Sequence, residues 1–80
     1  MTLTGRAEAL FASRLQPSDH PSSAQVAAAI QASVADHGGE CGCAAALAAE
    51  YGEHPETAVD RMRWALALVA QSPDAFAAAA

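Results

Sequence analysis

The chain contains no lysine; its basic residues are four arginines, Arg6, Arg14, Arg61 and Arg63. None of them falls between residues 15 and 60, where Asp19, Asp36, Glu40, Glu50, Glu53, Glu56 and Asp60 make the middle of the chain acidic. With a formal net charge of −5, such a chain repels phosphate backbones, which disfavours nucleic acid as its main partner. Aromatic residues are as scarce: Phe11, Phe76, Tyr51 and Trp64. Long apolar runs are missing too. Nothing approaches the roughly 18 residues that cross a bilayer, so no membrane span is expected. The opening MTLTGRAEALF lacks the charged start and unbroken apolar stretch of a signal peptide. The two cysteines, Cys41 and Cys43, stand too close for an ordinary structural staple. The expectation is a cytoplasmic protein with reduced thiols.

What the chain has is alanine, 23 residues of its 80. Alanine is the best intrinsic helix former. Large apolar side chains number only 17, so the core is thin and helices must approach through small residues. At this length one domain spanning residues 1–80 is expected, burying about 60% of the surface its unfolded chain exposes. A thin core also raises the expectation that the domain completes itself against a second copy or another protein.

The apolar spacing predicts an all-α compact bundle of four helices. The first covers about residues 4–15, with Leu3, Ala7, Leu10, Phe11 and Leu15 recurring at three- and four-residue steps. Pro17 through Pro21 form a connector. The second covers about 22–37. Ser22 and Gln25 fit a capping box at its start, and Gly38-Gly39 stops it. The third covers about 42–51, with Cys43, Leu47 and Tyr51 on one face and Gly52 as terminator. The fourth covers about 55–71, starting at Pro55, which has no N–H to leave unbonded. Ala58, Val59, Met62, Ala65, Leu66 and Val69 share one face, and Trp64 and Leu68 add an adjoining strip. So wide an apolar arc belongs either to the central brace of the bundle or to a helix that meets a partner. Ser72-Pro73-Asp74 could start a last turn, Phe76 could tuck onto the core, and residues 72–80 read as a frayed or short helical tail.

The stretch Leu47-Ala48, Gly52, Thr57, Arg61, Met62 and Ala65-Leu66 resembles a helix-turn-helix, in particular the C-terminal promoter-binding region of bacterial sigma factors. The resemblance covers residues 47–66 and implies that the third and fourth helices sit in a helix-turn-helix-like arrangement. It also implies a DNA-facing role for Thr57, Arg61 and Arg63. Glu53, Glu56 and Asp60 crowd the region where a recognition helix needs neutral or positive residues, so DNA binding stands as the alternative reading.

The most chemically suggestive stretch is His37-Gly38-Gly39-Glu40-Cys41-Gly42-Cys43. Cys41, Cys43 and His37, with His54 or Glu40, could hold a metal, although ordinary zinc sites separate their cysteines by about two to four residues. Cys41 near a helix N-terminus could instead be a reactive thiol. The plainest reading puts Cys43 in the core as a small hydrophobe. No Ser–His–acid set, paired carboxylates or phosphate-cradling loop is present, so neither catalysis nor a cofactor is expected. The leading expectation is a non-catalytic helical interaction or regulatory module, able to self-associate, with Trp64, Leu68 and Arg61 at the contact.

Overall fold

The computed structural model describes residues 1–71 and is all-α. Four helices follow one another: α1 (Leu3–Phe11), α2 (Ser23–Asp36), α3 (Glu40–Glu53) and α4 (Pro55–Gln71), with a single 3-10 turn at Pro17–Asp19 between the first two. The expected last turn at Ser72-Pro73-Asp74, the docking of Phe76 and the frayed tail lie outside the described residues.

Local chemistry explains most helix ends. Thr2 caps α1 through its hydroxyl, which accepts from the Gly5 N–H at 2.9 Å. The capping box at α2 forms: the Gln25 N–H donates to Ser22 Oγ at 3.2 Å, and the Ser22 N–H donates to Gln25 Oε1 at 2.8 Å. At the far end of α2, Gly38 (φ +74°) and Gly39 (φ +111°) adopt backbone that side chains rarely tolerate. The Gly39 N–H reaches the Val34 carbonyl at 2.8 Å and the Gly38 N–H reaches that of Ala35 at 3.4 Å. This pair of bonds is the Schellman closure, and it satisfies carbonyls that the helix end would strand.

Three boundaries differ from the sequence reading. α1 ends at Phe11 rather than near residue 15: the Ser13 side chain bonds the local backbone, and the open carbonyls are taken by a distant side chain described below. α3 begins at Glu40, two residues early, so Cys41 lies inside its first turn. Gly52 does not end α3. The helix runs through it to Glu53 and stops at His54, whose place before Pro55 excludes the helical conformation (φ −137°, ψ 64°).

The helix at the centre is α1 rather than α4. It packs against all three others, and Ala7, Ala9, Leu10 and Phe11 are buried within its nine residues. Gly5 lies beside Glu40 while Phe11 stacks on Tyr51, with ring centroids 6.1 Å apart, so α1 and α3 run in the same sense. Val26 and Ile30 from α2, Cys43 from α3, and Ala58, Ala65 and Val69 from α4 complete the core. Four of its ten members are alanine, which is how short helices come close enough to share so few large side chains.

Gly42 makes the closest of these approaches. A Cβ there would overlap the carbonyl carbon and oxygen of His37 at the end of α2, so the α2–α3 corner requires glycine. Gly52 is the opposite case, with open space around its position. Gly42→Ala is expected to lower stability by about 1–3 kcal/mol through overpacking. Gly52→Ala should raise it by about 0.5–1 kcal/mol through helix propensity. Urea unfolding of the two variants checks this pair, and equal effects of one sign would contradict it.

Candidate functional site

Arg61 occupies the most constrained position of any candidate residue. It is half-buried on α4, and its guanidinium faces the end of α1. Nε donates to the Phe11 carbonyl at 2.8 Å, and Nη2 donates to the carbonyls of Ser13 at 3.0 Å and Leu15 at 2.8 Å. The guanidinium carbon also sits 5.7 Å from the Phe11 ring centroid and 4.9 Å from that of Trp64. Burial pushes the Arg61 pKa below its ordinary value, with the Glu50 carboxylate opposing that shift. A cation beside the final carbonyls of a helix is favoured by the helix dipole as well as by the hydrogen bonds. The chain leaves the helix here by local bonds as well: Ser13 Oγ donates to the Leu10 carbonyl and accepts the Leu15 N–H at 3.3 Å, and Arg61 satisfies the carbonyls that this leaves open. The charge is thus used within the fold.

The other expected contact residues on α4 fall on two sides. Trp64 and Leu68 are half-buried and pack against the core, Trp64 beneath the Arg61 guanidinium. Thr57 is exposed, and its hydroxyl donates back to the His54 carbonyl at 3.2 Å. Arg63 points outward and lies 3.8 Å from Asp60, with both side chains about four-fifths exposed (78% and 81%). Such a pair contributes little to stability.

Cys43 is 1% exposed, and its Sγ lies 3.8 Å from Ser33 Oγ and 3.7 Å from the Ser33 carbonyl. Cys41 is exposed, and both thiols are free. Residues two apart on a helix point to nearly opposite sides, so extending α3 back to Glu40 separates the two sulfurs. His37 turns toward α2: Nδ1 meets the Ser33 carbonyl at 2.8 Å, which requires the proton on that nitrogen. Among the described residues, no group of three or more His, Cys, Asp or Glu is placed to hold a metal ion.

His37 also lies between two hollows. One of about 490 Å³ runs between the α1 end and α2, past Arg14, Ser33 and Asp36. The other, about 370 Å³, opens toward Glu50 and Arg61. Ser13 and Ala12 line both.

The surface that the sequence reading placed wrongly is on α4. Val59 and Leu66, expected on the core-facing side with Ala58 and Ala65, are each 37% exposed. They lie seven residues apart and therefore share one face, with the half-buried Met62 between them and Ala70 a turn further on. The apolar arc of α4 is wide enough that spacing alone does not say which part meets the core. The buried residues Ala58, Ala65 and Val69 fix the answer, one helical step away. Among the described residues no helix is long and apolar enough to cross a membrane.

No protein-family model matches the chain, and neither a curated protein nor a solved structure matches it at a significant level.

Replacing Arg61 with Met keeps the stem and removes every donor. Because the neighbouring hollow admits water to the abandoned carbonyls, the expected loss is about 2 kcal/mol rather than the full cost of three orphaned acceptors. Arg61→Lys should recover only part of it, since an ammonium lacks the planar fork that reaches Phe11, Ser13 and Leu15 together. Thermal unfolding of both variants tests this, and full recovery by Lys would contradict the geometry. Thiol titration should find one fast-reacting cysteine in the native protein and a second only on unfolding, with Cys41→Ser removing the fast one.

Proposed function

We propose that this protein is a non-catalytic helical interaction module that docks on another protein, or on a second copy of itself, through the outward strip of α4. One observation carries the reading. Of the six large apolar side chains on α4 (Val59, Met62, Trp64, Leu66, Leu68 and Val69), only Val69 is fully buried. Val59 and Leu66 are exposed, and Met62, Trp64 and Leu68 pack on the core with part of their surface still in solvent, so the helix keeps apolar area that a partner could cover.

The contact centres on Val59 and Leu66, with Met62 as an adaptable neighbour. Trp64 and Leu68 support the face from behind, through their packing on the core. The module works in the cytoplasm, where the exposed Cys41 stays reduced. Its helix-turn-helix-like pair, α3 and α4, serves as a packing frame for this face.

The DNA-binding alternative draws less support. Of Thr57, Arg61 and Arg63, the first bonds back to His54, the second is engaged with α1, and the third stands beside Asp60. Arg63, the single outward cation of α4, provides little of the phosphate attraction that DNA-binding domains obtain from several.

The test compares the native protein with the double variant Val59→Ser, Leu66→Ser. Both positions are exposed, so circular dichroism and unfolding should show stability within about 0.5 kcal/mol of native. Sedimentation and affinity capture should show an association, with itself or with another protein, that the double variant loses. A native protein that stays monomeric and captures nothing the variant does not also capture would defeat the proposal.

A further inference from the structure

The folding of the chain changes its apparent charge. Of the four arginines, only Arg14 and Arg63 are exposed, and Arg61 is held against the α1 carbonyls. Among the described acids only Glu8 is half-buried: Asp19, Asp36, Glu40, Glu50, Glu53, Glu56 and Asp60 are all exposed. The solvent face is therefore more acidic, relative to its cations, than the composition suggests.

This matters most beside the outward strip of α4. Val59 follows directly on the α3–α4 corner, where Glu53, Glu56 and Asp60 lie within eight residues of one another, and Leu66 stands two turns further along α4. At 100° per residue, Glu56 and Asp60 lie on the solvent flank of the strip, with Arg63, the one cation there, between them and the strip and 3.8 Å from Asp60. The opposite flank of the strip carries no charge, since it leads through Met62 into the core. The edge carries two carboxylates to one guanidinium, with Glu53 beyond it at the corner, so the apolar band has a net acidic border.

We infer that the occupant of this face is an amphipathic helix of another protein, with aliphatic residues on one side and Lys or Arg along its edge. This rests on the interaction reading above and assigns its partner. The aliphatic side covers Val59, Met62 and Leu66, and the basic edge meets Glu56 and Asp60, as in recognition of a helix laid along a helical face. From Val59 to Ala70 the strip spans about 16 Å of helix axis, which matches about three turns of partner. A second copy of this chain fits less well. It would bring the same acidic corner against the face, with Arg63 alone to answer it, and each copy carries a net charge of −5.

The probe is a synthetic 14-residue peptide with leucine on one helical face and lysine on the rest, labelled for fluorescence anisotropy. Its twin carries glutamate in place of every lysine. The lysine peptide should bind at low salt and weaken as salt rises, while the glutamate twin should not bind. Glu53→Gln, Glu56→Gln, Asp60→Asn together should weaken binding by about tenfold or more, and Val59→Ser, Leu66→Ser by a similar factor. Leu3→Ser, which alters an exposed leucine on α1, should leave it unchanged.

Three results would overturn the inference. The peptides could bind alike. The lysine peptide could bind equally well to the α4 variants, which would mean general adsorption to an acidic protein. Or the native protein could sediment as a dimer that Val59→Ser, Leu66→Ser dissolves, giving the face to a second copy. That last result leaves the interaction reading standing and removes only the basic partner. Loss of every association in the native protein removes both.

Discussion

The guanidinium of Arg61 joins the two ends of the described chain. It reaches across nearly fifty residues of sequence to the carbonyl of the last residue of α1 and to two just past it, and in doing so it ties α4 to the end of α1. Hydrogen bonds to a charged group contribute about 1.5–3 kcal/mol each, reduced here by the desolvation of the guanidinium. The rings of Phe11 and Trp64 hold the same group through their faces, and Phe11 in turn stacks on Tyr51 of α3. Thus one polar centre connects α1, α3 and α4 where a core of small residues offers little apolar area. A domain with so many alanines gains from such a tie, because dispersion contacts scale with the atoms available to make them.

The same arrangement sets the character of the surface. Turning Arg61 inward leaves few cations to balance the exposed carboxylates. Turning Ala58, Ala65 and Val69 inward rotates Val59 and Leu66 outward. Charge and apolarity are thereby sorted onto α4 together, as a by-product of how that helix meets α1. The proposed contact face is in this sense a consequence of the core.

Where a helix end is decided by neighbouring residues, the sequence sufficed. The capping box at Ser22 and Gln25, the glycine stop after α2 and the proline start of α4 are local chemistry, and all three formed as read. The end of α1 mixes the two: Ser13 bonds the backbone on either side of it, a local signal, while nothing near Phe11 announces that residues 13 and 15 will give their carbonyls to Arg61. Arg61 itself was singled out for an outward role because pattern alone does not distinguish a cation aimed at solvent from one aimed at a helix end. Gly52 looked like a stop because glycine commonly is one, yet Pro55 exerts the stronger constraint three residues later. The face of α4 was misassigned for another reason. Its apolar arc has two shoulders, and only the positions of α1 and α3 decide which of them is covered.

That α1 is the hub has a consequence for the order of events in synthesis. α1, the helix that packs most extensively on the others, is made before them, and its nine residues are too few to persist alone in water. Its closing bonds come from a residue made about fifty positions later. The contacts that close α1 therefore carry the entropy of a loop of about fifty residues, a cost that rises only slowly with loop length and that the local capping of α2 does not carry.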